Sequence, residues 1–196
     1  MKAVKMLFWE VRRMFKEHPA QLIMLLSVLS PLAGLTLYKQ ASAETMLSMY
    51  LANPALAGGV VSGILFGLLT VYELDRTVRN RVDVITDAVV SPMRTALIRL
   101  LTLLFMSLVM LLITTAVWCP VTLIKTGAVF DMTDHCLAYI LFMGLSMPAA
   151  ILAAAAAYQF TRRADLSLVL FAAFAGLSLT VWADDWQLCW LNPCVW

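Results

Sequence analysis

The sequence predicts an all-α polytopic membrane protein, and three observations carry that reading. The chain of 196 residues is 62% hydrophobic. Only 13% of it is charged, whereas soluble domains carry about a quarter. The apolar residues also fall in runs of about 20, the length that crosses a bilayer as a helix, and the charges collect between those runs. A mean hydropathy of +0.87 agrees. We read one transmembrane domain over 1–196, with an interfacial helix at 2–17, a cytoplasmic helix at 74–94 and an outer tail at 184–196.

The first element is KAVKMLFWEVRRMFK, residues 2–16. Val4, Leu7, Phe8, Val11 and Phe15 recur at helical spacing. Lys5, Arg12, Arg13 and Lys16 fall largely on the other side. Such a helix is expected to lie in the interface, with its apolar face at the acyl boundary and its cations near the headgroups. A helix packed on a soluble domain is the alternative, and the rest of this sequence offers no such domain. Pro19 ends the element. The charged opening has no small-residue cleavage site, so no signal peptide is expected.

Five spans follow, at roughly 20–38, 55–73, 95–118, 135–158 and 166–183. None has a charged residue in its middle, and Pro31 and Pro148 are expected to kink the first and fourth. Orientation follows from Lys and Arg. With the N-terminus inside, the inner segments hold Lys2, Lys5, Arg12, Arg13, Lys16, Arg76, Arg79, Arg81, Arg94, Arg99, Arg162 and Arg163, and the outer ones only Lys39 and Lys125. Twelve against two places the N-terminus in the cytoplasm and, after five spans, the C-terminus outside. The tail WADDWQLCWLNPCVW is too polar and short to cross back. Its Trp182, Trp186 and Trp190 share a helical face, as in a short interfacial or re-entrant helix on the outer side.

The cysteines fit that topology. Cys119 and Cys136 flank one outer loop, and Cys189 and Cys194 lie in the outer tail. All four sit where disulfides persist. Two bridges are possible, and the pairing stays open among three connectivities. Four thiols acting as small hydrophobes are the alternative.

The second span, with Gly59, Gly63 and Gly67 at steps of four, lets another helix backbone approach closely. The partner is a span of this chain or of a second copy, and packing within the chain is the simpler reading. Ala153 to Ala157 give the fourth span a small surface of its own. LANPALAG at 51–58 and LNPC near the end suggest the Asn-Pro-Ala half-helices of aquaporins, but their positions do not suit that pore. Asn53 is instead expected to cap a helix whose first position is Pro54.

No catalytic residue emerges. No His lies mid-span, as an intramembrane serine protease would need, and His18 and His135 are too far apart in sequence to suggest a metal pair. Asp83 and Asp87 are one helical turn apart, a spacing that can hold a metal, but Arg76, Arg79 and Arg81 stand beside them and ion pairing is the expected use. No Gly-rich Lys-Ser/Thr phosphate loop is present. No cofactor and no nucleic-acid partner are expected for this chain. Ion-coupled transporters carry ionisable residues within their spans. Here the spans are clean, so any driving energy enters from outside the membrane core.

That leaves the charged island RNRVDVITDAVVSPMR, residues 79–94. Val78, Val82, Ile85 and Val89 follow one helical face, and Arg79, Arg81, Asp83 and Asp87 take much of the rest. A lipid-binding segment would be more uniformly basic. Mixed charge beside a short apolar stripe suits a protein surface, although an ordinary loop helix reads the same way. Ser91 is placed to cap, and Pro92 to start, the third span.

The same stretch resembles the first cytoplasmic loop of exporter-type ATP-binding-cassette permeases. There a Glu closes the second span, a charged helix follows, then a small-Pro-x-Ser/Arg turn, then a basic residue opening the third span. Glu73, the helix of 76–90, Ser91-Pro92-Met93-Arg94 and Arg99 stand in that order. FWEVRRMFKEHP is similar to the family's opening helix. The chain departs from the pattern in lacking a Gly soon after Glu73, in having Arg99 where a Lys is usual, and in five spans rather than six. The resemblance implies a permease, or the front part of a longer one, that pairs with a cytoplasmic ATPase carrying ATP and Mg. It implies docking and coupling through Glu73, Arg76, Arg79, Arg81, Asp83, Asp87, Ser91, Pro92 and Arg94. It also implies a second permease copy or paralogue in the lipid bilayer. A non-transporting membrane scaffold is the alternative.

Overall fold

The computed structural model describes residues 2–36, 48–79, 92–127 and 130–180. Every regular element among them is helical. Helix α1 is Lys2–Met14 and α2 is His18–Leu29. Between them Glu17 is extended (φ −85°, ψ 127°), and Pro19 occupies the first turn of α2, where a missing N–H costs nothing. A short α3, Pro31–Thr36, continues the direction of the first span after Ser30. Pro31 cannot donate to the carbonyl of Ser27, and the Ser30 hydroxyl donates to that carbonyl instead, at 2.7 Å.

A π-helical turn, Ser48–Ala52, leads into α4, Asn53–Arg79. The helical stretch of the second span therefore starts before Asn53, the residue expected to cap it. Helix α5 is Pro92–Thr126 and α6 is Met132–Thr161, and each runs through an internal proline, Pro120 and Pro148. Asp131 caps α6, its carboxylate accepting from Thr133 N at 2.8 Å. Arg162 closes the helix in the left-handed conformation (φ 52°), its N–H donating to Tyr158 O at 2.8 Å. Helix α7 is Ala164–Thr180.

Four helical stretches are long and apolar enough to cross a bilayer: His18–Leu35, Tyr50–Arg76, Met93–Thr126 and Met132–Thr161. They overlay the first four expected spans. The fifth, α7, is apolar but has only 17 residues, about 26 Å of helix. Along α5 the side chains of Leu101, Phe105, Leu108 and Leu112 are all exposed. A seam of this kind is unfavourable in water and natural against lipid.

Helix α4 packs most extensively on α6. A Cβ on Gly59 would stand 2.5 Å from Phe142 O, and Ser146 Oγ donates to Gly59 O at 2.7 Å. Gly63 lies over Ser146 and Ala150, and Gly67 lies under the ring of Phe171 in α7. The glycine stripe thus meets spans of its own chain. The main core fills with Phe66, Leu69, Leu103, Met106, Tyr139, Met143, Met147 and Ile151. A second core, with Val71, Ala154, Tyr158 and Phe171, seats α7. Trp118 Nε1 donates to Val28 O at 2.8 Å and joins α5 to the first span.

Candidate functional site at the basic end of the bundle

Helix α1 does not present its cations to one side only. Met14 is fully buried against the bundle, while Phe8, Trp9 and Phe15 stay exposed. Arg13 therefore turns inward rather than away from the apolar face as its spacing suggested. Its guanidinium meets three carboxylates. Nε donates to Glu10 at 2.6 Å, Nη1 to Glu17 at 2.5 Å and Nη2 to Glu73 Oε2 at 2.5 Å. A planar fork with several donors suits this geometry and an ammonium would not. Arg12 instead lies 5.6 Å over the Trp9 ring.

Glu73 is the innermost member, with 2% of its side chain exposed. Besides Arg13 it has Arg76 at 3.7 Å from Oε1, and Arg99 Nη1 donates to its backbone carbonyl at 3.3 Å. Arg76 also pairs with Glu17. Three carboxylates (Glu10, Glu17, Glu73) thus balance three guanidiniums (Arg13, Arg76, Arg99). Burying a carboxylate is costly unless it is paired and hydrogen-bonded. Glu73 meets that condition through Oε2, which accepts from Arg13, while the buried Oε1 has Arg76 nearby but accepts no hydrogen bond among the described residues. At the rim, burial would raise the Glu17 carboxyl, but the hydrogen bond from Arg76 and the charge and hydrogen bond of Arg13 hold it below its usual range. Burial likewise opposes the charge on Arg13, and Glu73 and Glu10 outweigh it and raise its pKa. Nearby, the Tyr158 hydroxyl donates to Asp75 at 3.3 Å, which brings the end of α6 to the end of α4.

The knot joins α1, the start of α2 and the end of α4 through side chains, and the start of α5 through Arg99 on the Glu73 carbonyl. Of the residues singled out in sequence, Glu73, Arg76 and Arg99 lie within it. Arg79 is exposed at the last position of α4, Pro92 opens α5, and Arg94 is exposed in its first turn. Arg81, Asp83, Asp87 and Ser91 lie outside the described residues, as do Cys189, Cys194 and the outer tail. Cys119 and Cys136 are separate, half-buried thiols, and Cys119 Sγ approaches Met132 Sδ at 3.6 Å. Among the described residues no three His, Cys, Asp or Glu side chains gather as metal ligands.

Sequence reasoning missed Glu10, Arg13 and Glu17 as site residues. Their spacing of three and four puts an acid, a base and an acid on one helical face, and that signal was available. It also missed His135, which is wholly buried, with Nε2 at 3.0 Å from Thr115 O and its ring 4.8 Å from that of Tyr139. No family model matches the chain, and neither a curated protein nor a solved structure matches it.

Proposed function

We propose that the chain is the membrane-spanning permease subunit of an ATP-binding-cassette exporter, energised by a separate cytoplasmic ATPase that binds ATP and Mg. The observation that carries the reading is the Arg13–Glu73 pair. It locks the interfacial helix to the end of the second span, from which the charged segment 80–91 departs. A partner that pushes on that segment or on α1 would displace both, together with the Arg99 end of α5. This is the mechanical requirement for coupling, because a driver shifts a conformational equilibrium only through contacts that differ between the two states. In this reading Arg79, Arg81, Asp83, Asp87, Ser91, Pro92 and Arg94 form the docking surface on the cytoplasmic side of a cell membrane, the bacterial inner membrane being the natural setting. A second copy or paralogue completes the pathway. Its apolar, Met-rich and aromatic spans suit an amphiphilic cargo, such as a peptide, a lipid-like molecule or a drug.

The test is affinity purification from native membranes in mild detergent, with mass spectrometry of the partners. A stoichiometric ATP-binding-cassette subunit is expected. Arg79→Glu with Arg81→Glu is expected to weaken its association at least about tenfold while the chain still inserts. Preparations that lack an ATPase even after cross-linking would sink the reading in favour of a membrane scaffold.

A further inference from the structure

Beside the charged knot a cleft of about 550 Å³ opens between the α1–α2 junction and the end of α4. It is lined by Lys16, Glu17, His18, Pro19, Tyr72, Asp75, Arg76 and Arg79. Its level relative to a bilayer follows from the helices that wall it. The first apolar stretch begins at His18 and the second ends at Arg76. The cleft therefore sits where two spans leave the hydrocarbon, at headgroup height.

Its chemistry is cationic. Lys16, Arg76 and Arg79 face Glu17 and Asp75, three basic side chains against two acidic. Glu17 and Arg76 are engaged with each other and with the knot, and Asp75, which accepts the Tyr158 hydroxyl, is outnumbered by Lys16 and Arg79. Lys16 and Arg79 are exposed and form no ion pair among the described residues. His18 and Pro19 open α2, no side chain caps that helix, and its N-terminal partial positive charge lies at the cleft wall. Tyr72, 43% exposed, supplies the amphipathic ring that favours the interface. The volume lies within the range of small-molecule sites, about 300–1,000 Å³.

We infer that this cleft binds the phosphate of an anionic phospholipid headgroup. Lys16 from the α1–α2 turn and Arg79 from the end of α4 clasp the phosphate, the start of α2 adds its backbone dipole, and the acyl chains lie along the exposed Leu22, Leu25 and Leu68. A zwitterionic lipid brings its own ammonium toward these cations and is disfavoured. The site depends on the bundle lying in a bilayer and not on an ATPase partner. Arg79 is shared with the proposed docking surface, so the lipid site is tested on the chain alone, without an ATPase, and the two readings fail separately.

The test uses the full chain in nanodiscs of phosphatidylcholine alone or mixed with phosphatidylglycerol. Lipid retained after transfer to detergent is read by native mass spectrometry. Phosphatidylglycerol is expected to be retained over phosphatidylcholine. Lys16→Gln with Arg79→Gln should weaken that retention about thirtyfold, while Lys16→Arg, which keeps the charge, should retain the lipid as the native chain does. Arg163→Gln, an exposed cation elsewhere at the same end, should leave it unchanged. Melting in phosphatidylcholine alone should be the same for all variants, which separates lost binding from lost folding. Equal retention of the two lipids, or equal losses in the double variant and Arg163→Gln, overturns the site. Inorganic phosphate that stabilises the chain in phosphatidylcholine as well as phosphatidylglycerol does overturns the lipid assignment and leaves a soluble phosphate as the ligand.

Discussion

A carboxylate that is 2% exposed at the end of a span is tolerated only because its partners arrive from elsewhere in the chain. Glu73 receives Arg13 across sixty residues of sequence and Arg76 from the next turn of its own helix. Glu73→Gln keeps the shape but removes the buried one of the two anions that Arg13 and Arg76 share, leaving Glu17 at the rim. We expect a loss of about 1–3 kcal/mol, together with faster hydrogen exchange over Lys2–Met14 as α1 loosens. The decisive measurement is a double-mutant cycle on melting with Arg13→Gln. Contacting partners should show a coupling of about 0.5–3 kcal/mol. Simple additivity would mean that α1 is held by Met14 and its apolar neighbours instead.

Among elements, the α4–α6 seam makes the sharpest forecast. Gly59 admits no Cβ, because Phe142 O would stand 2.5 Å away, whereas at Gly63 the nearest atom is at 3.5 Å, ordinary contact. Gly59→Ala should therefore cost about 1–3 kcal/mol by overpacking. Gly63→Ala should be neutral or slightly stabilising, since Ala is the better helix former. Melting curves of the two variants in one detergent decide it, and equal effects would dissociate the stripe from this seam. The seam also marks what was legible beforehand. A run of apolar residues announces a span whatever packs on it, so the first four were readable from hydropathy. Their ends were less so. Helix α5 persists to Thr126 while Thr122 and Thr126 donate to carbonyls one turn back, at 3.1 and 2.7 Å, and no apolar count registers that. The charged knot was half legible. Glu73 and Arg76 stand out at the end of an apolar run, but Arg13 finds its partner only through tertiary packing, and its spacing alone placed it on the wrong side.

For the whole molecule, the contacts assign the charges to two ends. Arg13, Arg76 and Arg99 meet at one end, and the Tyr158–Asp75 hydrogen bond brings the turn with Arg162 and Arg163 to it. Lys125 lies at the other end, 5.9 Å over the ring of Tyr50. The rule that cationic loops stay in the cytoplasm predicts that the end with the knot faces inward, and the proposed coupling depends on that prediction, because an ATPase reaches only the cytoplasmic face. Single-cysteine reporters at Arg12, Lys125 and Arg163, in a chain whose own cysteines are replaced by serine, test this with a membrane-impermeant maleimide on intact cells. The reporter at 125 should label, and those at 12 and 163 should label only after the membrane is opened. Labelling at 12 and 163 from outside, with 125 protected, would turn the bundle over. The knot and the segment 80–91 would then face away from ATP, and no contact with a cytoplasmic ATPase could move them.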